Sequence, residues 1–364
     1  MRAMRPPMRL FMTTDAVGGV WRYSVDVGRT LAARGVEPTL VGIGPRPTAA
    51  QEREVQRAGM DLLWLDCPLE WAAGDRDRVR DTGHTLNDLL RRHRPGMLHL
   101  NGPALAPFLG PDLPRVVAVH SCLATWWRAV KGTPLPVEWR WHQEMTWAGL
   151  RSATVAVVPS EAFAADLRAV YGRLPALRVV RNGAAAVAPA PKGGFVLSAG
   201  RWWDEAKNFG VLDAAAAQIR WPVCAAGALE GAGAHAPTAE AIEWIGDLPH
   251  ATLSLWISRA PVFVSLSLYE PFGLAVLEAA GAGAALVLAD IPTFREMWDG
   301  CALFADPRDP MAVSWAVNRL IDDNGLRDRL GGAARVRASG CSLAAQADAL
   351  LDAYSSVGAL SVAV

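Results

Sequence analysis

Three features of the sequence predict an α/β protein built from two parallel-sheet domains. Short apolar runs, bounded by Gly, Pro, Asn or Asp, alternate along the chain with longer segments of helical spacing. That rhythm pauses at the Ala/Pro-rich stretch 184–192 (AAAVAPAPK) and restarts at Phe195. The length, 364 residues, suits two domains of about 180 each. The expected boundaries are 1–185, 186–342, and a C-terminal segment 343–364 whose helix returns to the first domain.

Composition narrows the class. Apolar residues make up 51% and charged residues 20%, as in soluble globular domains. No apolar run reaches the roughly 18–20 residues of a membrane span. The start, MRAMRPPMRLFMTTD, lacks the apolar core of a signal peptide, so a cytoplasmic location is expected, with Met8 as a second candidate start. Cys67, Cys122, Cys224, Cys301 and Cys341 are scattered, which points to reduced thiols and away from zinc or a disulfide framework. Charge is unevenly shared: residues 1–185 hold 24 Arg/Lys against 17 Asp/Glu, and 186–364 hold 12 against 19. Either the halves attract each other, or the basic half meets an anionic acceptor or the inner face of a membrane as a peripheral partner. Nucleic acid is not expected, because no Lys/Arg cluster is interleaved with aromatics.

The elements follow in order. Arg9–Thr14 reads as a strand, Asp15–Gly19 as a glycine turn, and Val20–Ala33 as a helix with Val20, Val27 and Leu31 buried. Gly18-Gly19 permits close ligand approach at a helix N-terminus, but forms no G-x-G-x-x-G fingerprint. Pro38–Ile43, Met97–Leu100 and Arg115–His120 read as strands, with helices over 51–59 and 79–92. His120 closes a strand, where parallel sheets place ligands, although a lone histidine is more commonly structural. Trp126, Trp127, Trp139, Trp141 and Trp147 follow; they form either an acceptor-stacking platform or the packing of a helical hairpin. Thr154–Pro159 is a strand, and Ser160 caps helix 161–170. After the linker, Phe195–Ala199 leads into GRWWDEAKN, where Arg201 and Lys207 supply two cations suited to a diphosphate. Further strands are expected at 223–226, 244–248 and 285–289, and helices at 253–258, 310–322 and 343–354.

One stretch organises the rest. The apolar run Ala260–Leu268 reads as a buried strand, Pro271 and Gly273 break it, and Leu274–Ala282 reads as a helix. The N–H groups of Phe272, Gly273 and Leu274 then lie at a positive helix end that favours phosphate. Glu270 and Glu278 flank this anion site. Carboxylates there would repel a phosphate ligand unless they accept hydrogen bonds from its hydroxyls, as a nucleotide-sugar allows. Two solvated glutamates at a strand–helix junction are the plainer reading of Glu-x7-Glu alone.

Taken together, these pieces resemble the family 4 glycosyltransferases, the group 1 enzymes of the GT-B fold. The resemblance runs from Asp15 to about Leu330. It rests on Gly18-Gly19, His120, VVPSEAF at 157–163, VVRNG at 179–183, the Arg201/Lys207 loop, YEPFGLAVLEA with Glu270 and Glu278, DIPTFRE at 290–296 and ALFADPRDP at 302–310. Ala285, in place of a proline usual in the family, and the ATLSLWISRA segment at 251–260 depart from the pattern.

The resemblance implies two Rossmann-like domains facing across a cleft, the first binding the acceptor and the second the nucleotide-sugar. It implies sugar transfer with retention of configuration, in polysaccharide or glycolipid synthesis or onto a small glycoside. Arg201 and Lys207 would bind the diphosphate, Glu278 the ribose, and the Leu248 backbone would face the base. Phe272, Gly273 and Leu274 would hold the distal phosphate. Glu270 and His120 would contact the donor sugar, and Gly18 and Gly19 would lie near the phosphates or acceptor. Trp126 and Trp127 are the candidate acceptor contacts. No cofactor or metal is expected, since the cations would stabilise the departing diphosphate. A nucleotide-sugar epimerase of the same fold would need an acid/base set on one sugar. A non-catalytic nucleotide-sugar-binding scaffold would be indifferent to loss of Glu270 or Lys207 in an activity assay.

Overall fold

The computed structural model describes residues 7–358 apart from 112, 175, 189 and 232, so the opening MRAMRP lies outside the described residues. The chain divides into two compact units, each with its own sheet. Of the described residues, the first comprises those up to 128, 133–182 and those from 343 onward; the second comprises those of 183–342 together with Ala129–Gly132.

The first unit carries a seven-stranded, all-parallel sheet. Its strands are β1 (Met8–Thr14), β2 (Val36–Ile43), β3 (Asp61–Leu65), β4 (Met97–Leu100), β5 (Arg115–Ala118), β6 (Val155–Val158) and β7 (Leu177–Val179), in the order β3-β2-β1-β4-β5-β6-β7. Every residue of β4, β5 and β6 is buried, as expected of strands covered by helices on both faces. The strand order reverses between β1 and β4, and in open parallel sheets ligands bind outside the strand ends at such a switch point. Helix Gly19–Ala32 joins β1 to β2 and buries Trp21, Tyr23, Val25, Val27 and Leu31. Val20 is half-exposed, contrary to expectation, because the buried stripe starts one residue later. Helix Leu343–Ser356 joins the same core through Ala347, Leu350, Ala353 and Tyr354. Ser160 caps helix Glu161–Tyr171 by accepting a 3.1 Å hydrogen bond from the Phe163 N–H.

The second unit holds β8 (Val196–Ala199), β9 (Val223–Ala226), a small antiparallel hairpin of β10 (Glu230–Gly231) and β11 (Ala234–His235), then β12 (Glu243–Gly246), β13 (Val262–Ser265), β14 (Ala285–Ala289) and β15 (Ala302–Ala305). The main sheet is parallel, in the order β12-β9-β8-β13-β14-β15, and its switch point lies between β8 and β13. The apolar run Ala260–Leu268 pairs as a strand over only four residues. Beyond Ser265 the backbone leaves the sheet, and the Leu268 N–H donates to the Ala206 carbonyl at 2.8 Å. Helix Asn324–Ser339 has no counterpart in the sequence reading. Gly325, Gly331 and Gly332 and its many arginines mask its periodicity, and Gly331 is needed where the helix crosses the Gly283 carbonyl. Among the described residues, no helix is long and apolar enough to cross a membrane.

Candidate active site

The switch point of the second unit gathers most of the residues predicted there. The turn after β8 carries Arg201 and Lys207, and the turn after β13 carries Glu270. Lys207 Nζ donates to Glu270 Oε2 at 2.7 Å, with less than a fifth of either side chain exposed. The Lys207 turn is fixed by Asn208, a non-glycine residue at φ +60°, whose Nδ2 donates to the carbonyls of Leu266 (3.2 Å) and Pro307 (2.6 Å). Arg201 is more exposed; it faces Asp204 at 3.6 Å and lies 5.3 Å from the Trp203 ring centroid. Trp202 is buried in the core, its Nε1–H on the Ala226 carbonyl.

Helix Leu274–Gly281 begins directly after Glu270, with Gly273 at φ +90° turning the chain into it. Among the described residues, the N–H groups of Phe272, Gly273 and Leu274 reach no protein acceptor. Glu278, within this helix, accepts a 3.0 Å hydrogen bond at Oε1 from His250 Nε2. His250 opens helix His250–Arg259 two residues after Leu248, so Glu278 lies on the β12 side of the switch point. Strand exits at Gly200, Gly227 and Gly246 leave the sheet edge bare. Gly227, at φ +122°, is obligatory, because a Cβ there would fall 2.0 Å from the Gly200 carbonyl oxygen. Leu248, Lys207 and Glu270 thus follow β12, β8 and β13, spanning three strand spacings, roughly 14 Å.

The first unit presents a second constellation at its own switch point. Gly18 and Gly19 follow β1, and a Cβ at Gly19 would meet no atom within 4 Å. His120, just past β5, contacts Asn101 Oδ1 through Nε2 at 2.8 Å, while the Tyr23 ring lies edge-on at 4.4 Å. Asn101 also touches His99 Nε2 at 3.1 Å, and His99 Nδ1 lies 2.7 Å from the Tyr354 hydroxyl. Burial holds His99 down to about 3, with the neighbouring His120 adding to the effect, and burial holds His120 down to about 4, so both rings are neutral near pH 7. Glu70 packs against Gly102 and accepts from the Ala104 N–H at 3.2 Å; burial pushes its carboxyl up to about 7. Trp126 and Trp127 lie half-buried in helix Leu123–Lys131, with ring centroids 6.1 Å apart and the Trp127 Nε1–H on Thr133 Oγ1.

Residues 17–185 match the model of glycosyltransferase family 4, and residues 185–337 that of the glycosyl transferases group 1. The chain belongs to the family 4/group 1 glycosyltransferases. A stretch of 99 residues is 38% identical to glycogen synthase of Mycobacterium tuberculosis, covering 27% of this glycosyltransferase and 24% of that enzyme. Another, of 87 residues, is 32% identical to O-antigen chain mannosyltransferase B of Escherichia coli, covering 24% and 23%. The chain therefore aligns with about a quarter of the length of these relatives. Among solved structures, sucrose-phosphate synthase from Thermosynechococcus elongatus superposes with TM-score 0.79 at 18% identity, over 97% of this chain and 99% of that one. Anabaena Alr3699/HepE, solved in complex with UDP-glucose, gives 0.75 at 15% identity, over 96% and 100%. At these identities the likeness is one of fold, and the fold is GT-B: two Rossmann-like parallel-sheet domains.

Several residues of the glycosyltransferase's two constellations were not singled out by sequence reasoning. His250 directly precedes the atypical segment 251–260, and its partnership with Glu278 depends on the packing of two helices. Asn101 ends the strand-plus-turn LHLNG, a signal for a strand exit at a sheet edge that carries no mark of chemistry by itself. Tyr354 sits 255 residues from His99, and no local pattern joins them.

Proposed function

We propose that this glycosyltransferase moves a hexose from a nucleoside-diphosphate sugar to a hydroxyl of a carbohydrate or lipid-linked acceptor, with retention of configuration. The observation that carries the reading is the Lys207–Glu270 pair at the β8/β13 switch point, directly before a helix whose first N–H groups lack protein acceptors. A cation and a row of N–H donors suit a diphosphate, and a carboxylate beside them suits sugar hydroxyls. The complex of HepE with UDP-glucose supports a nucleotide-sugar as ligand of this fold.

In this reading Arg201, Lys207 and the N–H groups of Phe272–Leu274 receive the charge that grows on the departing diphosphate, the preorganised electrostatics that dominate many enzymatic rate enhancements. Glu278 accepts from the ribose diol beside the base, which faces the Leu248 backbone. Glu270 and His120 hold hydroxyls of the transferred sugar, Gly18 and Gly19 leave room for phosphate or acceptor, and Trp126 and Trp127 contact the acceptor. The acceptor attacks from the face the diphosphate leaves, and a phosphate oxygen takes its proton, so no protein base is needed. The positive charge comes from side chains and backbone, and the reading requires neither metal nor cofactor. The enzyme works in the cytoplasm, on polysaccharide or glycolipid synthesis, with the basic first half as its contact to an anionic membrane face.

The test is a thermal-shift screen with UDP-, GDP-, ADP- and dTDP-sugars, followed by a mass-spectrometric search for glycosylated acceptors. One donor class should raise the melting temperature and give a product of retained anomeric configuration. Absence of stabilisation by every donor, or an inverted product, would refute the reading.

A further inference from the structure

The buried polar chain around Asn101 fixes the proton of His120. Its logic starts at Ser24, whose hydroxyl donates to the Val20 carbonyl at 2.8 Å and so has only lone pairs left for Asn101. Asn101 Nδ2, 3.0 Å from Ser24 Oγ and 2.6 Å from the Thr13 carbonyl, must therefore be the amide nitrogen, because an oxygen there would face two acceptors. The opposite atom, Oδ1, is then an acceptor with two lone pairs. It meets His99 Nε2 at 3.1 Å and His120 Nε2 at 2.8 Å. His120 Nε2 must therefore carry hydrogen; His99 Nε2 lies 3.3 Å from the Tyr23 hydroxyl as well as beside Oδ1, and as an N–H it donates to Oδ1 while the Tyr23 oxygen shares that proton as a second acceptor. His99 is left with a lone pair on Nδ1, which accepts from the Tyr354 hydroxyl at 2.7 Å. The Asn101 N–H is itself held by Thr13 Oγ1 at 2.9 Å, so the amide sits on a rigid strand end.

We infer that Asn101 is a positioning residue that holds His120 as its Nε2–H tautomer, so that Nδ1 is presented as a hydrogen-bond acceptor for a hydroxyl of the bound carbohydrate. The tautomer follows from the network alone; the carbohydrate role rests on the function proposed above. Among the described residues His120 Nδ1 has no hydrogen-bond partner. The Tyr23 ring and Asn101 together fix the plane of the imidazole, and helix Leu343–Ser356 contributes Tyr354 as the last donor of the chain. The depressed basicity of both rings agrees with a network that has donors and acceptors matched for neutral imidazoles.

The full chain, labelled with ¹⁵N-histidine, tests this through long-range ¹H–¹⁵N correlations, with His99→Gln and His120→Gln assigning two of the seven histidines. The wild type should show His99 and His120 as Nε2–H tautomers, both neutral at pH 7 and still neutral at pH 5. Tyr354→Phe removes only the donor to His99 Nδ1 and should leave both Nε2–H tautomers in place, since Oδ1 still meets both rings. Asn101→Ala should mix the tautomers of His120 and lower kcat for transfer by roughly ten- to a hundredfold, the usual cost of losing a residue that orients a working imidazole. Its affinity for the free nucleoside diphosphate should stay within about twofold, a split that general unfolding would not produce. A His120 proton on Nδ1 or a charged ring at pH 7 overturns the inference, and the wild-type spectrum decides that point whether or not Asn101→Ala folds. Wild-type kcat in a folded Asn101→Ala whose His120 tautomers are mixed overturns the carbohydrate role. A wild type with the expected tautomer that binds no nucleotide-sugar overturns the proposed function and leaves the tautomer assignment standing.

Discussion

The Lys207–Glu270 pair allows the two ends of the donor to be separated experimentally. At 2.7 Å, and with an effective dielectric constant of about 20, the gross attraction is about 6 kcal/mol. Loss of solvation offsets most of this for side chains less than a fifth exposed. The net value of a charged hydrogen bond, about 1.5–3 kcal/mol, is then the expected coupling in a double-mutant cycle on stability with Lys207→Met and Glu270→Gln. Binding should split differently. Lys207→Met removes the countercharge to the diphosphate and should weaken nucleoside diphosphate by about ten- to a hundredfold. Glu270→Gln frees the ammonium and removes a like charge beside the phosphates, so free nucleotide should bind unchanged or severalfold tighter, while sugar transfer falls. Calorimetric titration of both variants with nucleoside diphosphate and intact donor is the assay. If Glu270→Gln loses as much nucleotide affinity as Lys207→Met, the two groups serve the same end of the ligand and the assignment is wrong.

Three other outcomes are expected. Glu278→Ala should weaken free nucleoside diphosphate and nucleotide-sugar alike, because its carboxylate is fixed to the helix that carries the anion site; loss confined to the intact sugar, seen by calorimetry, would remove it from the ribose. Gly227→Ala should destabilise the second unit by about 1–3 kcal/mol in urea melts and weaken donor binding, since the methyl would push Gly200 and the Lys207 turn away; wild-type values for both would contradict the close backbone approach. The buried His99 is neutral in the fold down to about pH 3 but takes a proton near 6.5 when unfolded. Its contribution is therefore complete above about pH 7.5 and is lost as pH falls, by about 2 kcal/mol at pH 5; chemical denaturation of wild type and His99→Gln across that range should show the difference, and identical slopes would place His99 outside the buried network.

The sequence made the second unit more legible than the first, for a physical reason. Around Glu270 the chemistry is local: strand, glycine turn and helix lie within about twenty consecutive residues, and backbone geometry alone places Phe272–Leu274 and Glu278 relative to one another. Lys207 could be matched to that stretch because a cation at a strand exit has few partners, although its contact with Glu270 crosses 63 residues. The constellation around His120 is not local in this sense. It draws on residues 13, 23, 24, 99, 101 and 354, which meet only because β1, β4 and β5 are neighbours and the C-terminal helix packs on the same core. The missed β3 is of the same kind: DLLWL has one fully buried residue, and its pairing with β2 is what makes it a strand.

The same contrast explains why both units carry their candidate residues at switch points while using different means. In the second unit the exits of β8, β9 and β12 are glycines, and the charged groups nearby, Lys207, Glu270 and Glu278, each have at least one oxygen or proton available beyond their protein partner. A site of this kind selects by charge and by access of backbone N–H groups, which suits an anion. In the first unit the strand exits after β4 and β5 carry Asn101 and His120, whose acceptor Oδ1 and donors Nδ2 and Nε2 are committed inward. A neutral ring with a single fixed lone pair distinguishes a hydroxyl from a carbonyl and is indifferent to net charge. Taken unit by unit, the second is preorganised for an anion and the first for a neutral hydroxyl.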